Sequence, residues 1–193
     1  MRKNLLIICP SSKSLYQELK TDFSAIEPNI WAGLLANSVY VEGFGVSIYD
    51  VEVESPTEEE FIAEVDARNA DLILFVATGQ NPNASTASMS GAVELAKVLK
   101  DNLPESLISF VGPHVNALPV ETLERHSFID IVLTNEGVYA LRNLISSNLK
   151  TSTLKTIKGI AFRDGDRIVL NEGETSVPQE RLELDLPGVA YNL

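Results

Sequence analysis

The chain has 193 residues, room for one ordinary domain and an appendage. Its formal charge of −12 repels phosphate backbones and argues against nucleic acid as a partner, and no apolar run nears the roughly 20 residues of a membrane span. The single cysteine, Cys9, allows no internal disulfide and no Cys-rich metal site, and two histidines, His114 and His126, are too few for a histidine metal centre without carboxylate help.

Short apolar runs alternate with helix-period segments. Leu5–Cys9 is a continuous apolar strand stopped by Pro10-Ser11-Ser12. The run is too short for a signal-peptide core, which gives the expectation of a cytoplasmic protein. Pro28 opens a helix whose stripe is Ile30, Trp31, Leu34, Leu35 and Val39, ended by Gly43 and Gly45. Val46–Val51 reads as the second strand. Thr57 with Glu60 forms a capping box ahead of Phe61, Ile62 and Val65. Leu72–Ala77 is the third strand, followed by the turn-rich Thr78-Gly79-Gln80-Asn81-Pro82-Asn83 and a helix marked by Met89, Val93, Ala96 and Leu99. Leu107–Val111 is the fourth strand, ending at Gly112-Pro113-His114. A short helix spans Glu121–Arg125. Ile129–Leu133 is the fifth strand, ending at Thr134-Asn135-Glu136-Gly137, and Val138, Leu141, Leu144 and Ile145 form the last helical stripe.

This alternation predicts an α/β fold: a flavodoxin-like, Rossmann-like, doubly wound five-stranded parallel sheet of order 2-1-3-4-5 over residues 1–150. Residues 151–193 follow a different pattern. Ile157–Phe162 and Arg167–Leu170 flank Arg163-Asp164-Gly165-Asp166 as a β-hairpin, Asn171–Glu180 is polar and irregular, and Leu184–Gly188 reads as a linker.

Right-handed crossovers bring the C-terminal ends of the parallel strands to one rim, where open α/β sheets bind ligands. The loops there are rich in small and hydroxylated residues, which admit a flat ligand to the backbone and hold phosphate. Pro10, Ser11 and Ser12 form the first. Thr78, Gly79, Gln80, Asn81 and Ser85 form the second. Gly112, Pro113 and His114 form the third, and Glu136 with Gly137 the fourth. Any one of these taken singly is explained as a strand end; four on one rim favour a ligand. His114 either contacts that ligand or caps a neighbouring carbonyl. Glu136 either accepts bonds from it or caps the next helix, the cap being preferred. Cys9 reads as an inert core thiol. No Walker-type G-x-x-x-x-G-K-S/T, no G-x-G-x-x-G after the first strand and no G-x-S-x-G elbow is present, so no catalytic residue is assigned.

Val111-Gly112-Pro113-His114-Val115-Asn116-Ala117-Leu118-Pro119 resembles the G-G-P-H-x-x-x-x-P stretch of cobalamin-binding domains that precede radical-SAM barrels. Asn135-Glu136-Gly137 is similar to their G-E-G-E stretch. Pro28 with Trp31–Leu35 resembles their first-helix opening, and Gly79–Thr86 looks like a loop of some members. The hairpin and Leu184-Asp185-Leu186-Pro187 look like the family's bridge into the barrel. The resemblance implies a vitamin B12 (cobalamin) module, the corrin over the rim and the nucleotide tail in the crevice, supporting methyl transfer by methylcobalamin. It also implies a partner: a radical-SAM barrel, in the same full-length chain or as a separate subunit, that holds a 4Fe–4S cluster and cleaves S-adenosylmethionine. No C-x-x-x-C-x-x-C occurs in this sequence, so that chemistry is expected from the implied barrel and not from this segment. No D-x-H-x-x-G follows the first strand, which implies base-off cobalamin without a histidine ligand on cobalt.

Two other readings belong beside this one. Val111 stands where the resembled motif has its first Gly, and a bulkier side chain there would crowd the tail pocket; the domain would then be a non-enzymatic interaction module with an empty pocket. A flavin or nucleotide binder of flavodoxin type shares the fold, since fold does not fix function.

Overall fold

The computed structural model describes residues 4–11, 28–40, 44–78 and 88–193. Seven strands form one sheet in the order β2-β1-β3-β4-β5-β6-β7. β1 (Asn4–Cys9), β2 (Gly45–Asp50), β3 (Leu72–Val76), β4 (Ile108–Val111) and β5 (Ile131–Leu133) are all parallel. The doubly wound 2-1-3-4-5 order is therefore the observed one. The hairpin, β6 (Ile160–Asp164) and β7 (Arg167–Leu170), is not a separate appendage. β6 pairs antiparallel with β5, so the hairpin lengthens the same sheet by two strands.

The strands are apolar on both faces because both are covered, and alternate side chains serve opposite cores. Leu5, Ile7, Leu72, Leu74, Val76, Leu133 and Phe162 face one core. It is closed by α1 (Ile30–Tyr40), through Leu35 and Val39, and α7 (Val138–Ser146), through Leu141 and Leu144. Leu6, Ile8, Ile73, Phe75, Phe110 and Val132 face the other. There α3 (Glu58–Ala67) contributes Phe61 and Val65, α4 (Ser88–Asn102) Ala92, Ala96 and Leu99, and α6 (Pro119–Arg125) Leu123. Phe75 stacks on Phe110 with ring centroids 5.0 Å apart, tying adjacent strands β3 and β4.

Local signals explain several boundaries. The capping box is present: Thr57 accepts the Glu60 N–H and Glu60 accepts the Thr57 N–H. Val51 does not extend β2. Asp50 accepts the N–H groups of Glu52 and Val53, which turns the chain at once into α2 (Val51–Glu54). α5 (Pro113–Ala117) and α8 (Thr151–Leu154) are further short helices. At the opposite edge of the sheet, Asp130 accepts the Ile108 N–H and pairs with Lys100 at 2.9 Å, fixing the entries to β4 and β5.

The largest departure from expectation lies after β7. Residues 171–178 lack regular structure but are not loose, and Leu184–Gly188 is not a free linker. A 3₁₀ turn (Gln179–Arg181) and α9 (Leu182–Asp185) fold back against α7, and Ala190 donates to the Gly33 carbonyl of α1. Among the described residues no helix is long and apolar enough to cross a membrane.

Candidate functional site

The rim is built from the ends of β1, β3, β4 and β5, four neighbours in the sheet. Beyond β1, Pro10 is buried and Ser11 half-buried. Ser11 lines a groove of about 350 Å³ with Val51, Phe61, Gly91 and Val98. Beyond β3, Thr78 Oγ1 accepts from Asn29 Nδ2 at 3.2 Å, while Asn29 Oδ1 accepts the Ala32 N–H at 3.0 Å. The residue capping α1 thus also holds the third strand's loop. Ser12, Gly79, Gln80, Asn81 and Ser85 lie outside the described residues.

Beyond β4, Gly112 has φ +149°, and a Cβ on it would lie 2.3 Å from the Ala77 carbonyl oxygen. Only a hydrogen fits where the ends of β3 and β4 converge. Gly112 is therefore a structural requirement of the rim, and a larger residue at this position would force the ends of β3 and β4 apart. Pro113 is exposed and opens α5, as suits a residue without an N–H. His114 is half-buried and lines a groove of about 370 Å³ between α4 and α6, beside Met89, Ser90, Leu118 and His126.

Beyond β5, Asn135 (φ +56°) and Gly137 (φ +78°) are both left-handed and flank Glu136. Gly137 begins α7 without a side-chain cap. The preferred role for Glu136 was that cap; its carboxylate accepts the Val177 N–H at 2.9 Å instead. Val111 does not stand in the rim. It is 1% exposed, in the core below the loop, and a Cβ on Gly137 would meet its Cγ2 at 2.9 Å. Its bulk packs under Gly137.

Two hydroxyls that sequence reasoning missed belong to the start of α4. Ser88 and Ser90 Oγ are shielded from solvent and have no hydrogen-bond partner among the described residues. A buried hydroxyl left unsatisfied is costly unless something supplies a partner. Serines in a helical stretch carry no sequence signal of this; only their place just after a rim loop hinted at it.

Burial, then the nearby Asp50 carboxylate, pushes the Cys9 thiol far up. Burial likewise raises Asp50. His126 is lowered, first by burial and then by the charges of Arg125 and His114, so its imidazole favours the neutral form. Among the described residues no three His, Cys, Asp or Glu side chains group to hold a metal ion. What the rim offers is shape, main-chain groups and hydroxyls. That donor set fits a large, flat, amide-rich ligand with a phosphate, such as cobalamin, and just after the second rim loop the Ser88 hydroxyl has no partner among the described residues.

Comparison with known proteins bears on the same ligand. The family model described as the B12 binding domain matches residues 19–145. The chain is 26% identical over 191 residues to the uncharacterized methyltransferase PH0819 of Pyrococcus horikoshii, covering 99% of this chain and 38% of that protein. It is 28% identical over 88 residues to the cobalamin-dependent radical SAM methyltransferase TokK of Streptomyces tokunonensis, covering 45% and 13%. Among solved structures, the cobalamin-dependent S-adenosylmethionine radical enzyme OxsB, with aqua-cobalamin and S-adenosylmethionine bound, has a TM-score of 0.73 at 18% identity, covering 98% of this chain and 24% of that one. That likeness is one of fold. The chain spans less than two fifths of the length of each of these proteins.

Proposed function

The chain belongs to the B12-binding domain family, and on that premise we propose that it is the cobalamin-holding module of a radical-SAM enzyme that transfers methyl groups. The observation that carries the reading is the rim itself. Ser11, Thr78, Gly112 and Gly137 follow the ends of four adjacent parallel strands, and Ser88 at the start of α4 has a buried hydroxyl without a partner among the described residues. Similarity to TokK, by name a cobalamin-dependent radical SAM methyltransferase, supports the choice of reaction.

When bound, cobalamin supplies the carrier for the methyl group; the protein supplies binding and orientation. Pro10, Ser11 and Thr78 would form one wall of the pocket, while Ser12, Gly79, Gln80, Asn81 and Ser85 are assigned to the cofactor by sequence alone. Gly112, Pro113 and His114, with Glu136 and Gly137, form the other. Ser11, Thr78 and Ser88 offer hydroxyls to amides and phosphate, and the convergence at Gly112 keeps the crevice floor flat. Glu136 shapes the wall through its bond to Val177.

On this reading the cofactor would be bound base-off, with neither histidine of this sequence serving cobalt. Pro10-Ser11 stands at the end of β1, His114 lines the α4–α6 groove and His126 closes α6. The S-adenosylmethionine and 4Fe–4S chemistry belongs to a radical-SAM barrel acting as partner in the same protein or beside it, in the cytoplasm. The visible spectrum of the bound corrinoid tests the ligation. A base-off spectrum is the predicted result, and one showing a nitrogen ligand on cobalt contradicts it.

A further inference from the structure

The segment after β7 is a belt with one buried anchor. Asp185 is 1% exposed, and its carboxylate accepts four hydrogen bonds. Tyr139 Oη donates at 2.6 Å and Arg142 Nη1 at 2.9 Å, both from α7. Arg181 gives two more, Nε at 2.9 Å and Nη2 at 3.0 Å. A fork of this kind sets direction as well as distance.

Upstream of the anchor the belt grips the β5–α7 rim loop. Asn135 Nδ2 donates to the Glu174 carbonyl at 3.1 Å and to Ser176 Oγ at 3.2 Å, and Val177 N–H donates to Glu136 at 2.9 Å. Downstream it reaches α1, where Asn37 Nδ2 donates to the Gly188 carbonyl at 3.1 Å and the Ala190 N–H to that of Gly33 at 3.1 Å. α1 begins beside Asn29, which holds Thr78. One belt therefore touches supports of both proposed pocket walls. The Asn135–Gly137 loop needs such support, because two of its three residues are left-handed and one of them, Asn135, is not glycine.

We infer that the Asp185 anchor positions the Asn135–Gly137 loop for the cofactor, with Tyr139, Arg142 and Arg181 as positioning residues that touch no ligand. The inference rests on the cobalamin reading. Releasing the anchor frees Ser176 and Val177, which lets Glu136 and Asn135 swing out of register while both cores stay packed.

The test measures hydroxocobalamin affinity and amide hydrogen exchange in the chain and in Asp185→Asn, Arg181→Gln and Asp130→Asn. Asp130→Asn loosens the opposite edge of the sheet and controls for lost stability alone. The expected result is faster exchange at residues 134–137 and 174–190 in the first two variants. Cobalamin affinity then falls on the order of five- to tenfold, more for Asp185→Asn, and stays unchanged in Asp130→Asn. Should Asp185→Asn fail to fold, Arg181→Gln decides, since it leaves Arg142 to neutralise the carboxylate. Three outcomes overturn the inference: a loosened belt with the rim loop and affinity at their original values, a belt that stays protected in both anchor variants, or an equal loss of affinity in Asp130→Asn. Failure of the unsubstituted chain to bind cobalamin counts against the proposed function instead, and exchange at residues 134–137 still decides the coupling.

Discussion

A Cβ on Gly112 would lie 2.3 Å from the carbonyl oxygen of Ala77, so the ends of β3 and β4 approach to within the width of a hydrogen atom. Gly112→Ala is predicted to cost about 2–4 kcal/mol, from an unfavourable backbone conformation plus displacement of Ala77. Urea unfolding checks it. A variant as stable as the original would mean that β3 and β4 can part at this point without penalty.

Asp185 makes stability depend on acid. Its hydrogen bonds from Arg181, Tyr139 and Arg142 hold the carboxyl well below the usual carboxylate range. A depressed group contributes its full stability above the unfolded-state value, about 3.9, and loses it as pH falls toward the folded-state value. Asp185 is buried but its partner Arg181 is half-exposed, so solvent screening limits the contribution to about 1–3 kcal/mol. Thermal unfolding from pH 6 to pH 2 should show a decline below about pH 4 that Asp185→Asn flattens. An equally steep decline in the variant would place the acid sensitivity elsewhere.

Cys9 ends β1 at 4% exposure, opposite Asp50 of β2. Burial and the Asp50 carboxylate both disfavour the thiolate, the reactive form. Labelling by a disulfide reagent at pH 8 is predicted to follow global unfolding and to speed up with urea. Rapid stoichiometric labelling of the folded chain would refute the burial of this thiol between β2 and β3.

The parallel part of the sheet was legible because runs such as Leu5–Cys9 and Leu72–Val76 are apolar on both faces, which only a strand covered twice requires. The hairpin was legible from Gly165, but its pairing with β5 was not, because a turn signal carries no information about distant partners. The α2 turn hid behind Val51, which continues an apolar run while Asp50 ends the strand. The rim glycines and serines could be placed at strand ends, whereas the belt could not. Glu136 and Val177 are 41 positions apart, and the stretch between Asn171 and Glu180 reads as loop by composition alone. Ser88 and Ser90 stand out only by lacking partners among the described residues, a property of packing that no residue type announces.

On the proposed function, this rim holds cobalamin. The most direct measurement is a hydroxocobalamin titration of the purified chain, followed by gel filtration and a visible spectrum, with flavin mononucleotide as a parallel ligand. About one corrinoid is expected to be retained per chain, with a base-off spectrum and no retained flavin. A folded chain, shown by circular dichroism, that retains flavin or no ligand at all would contradict it.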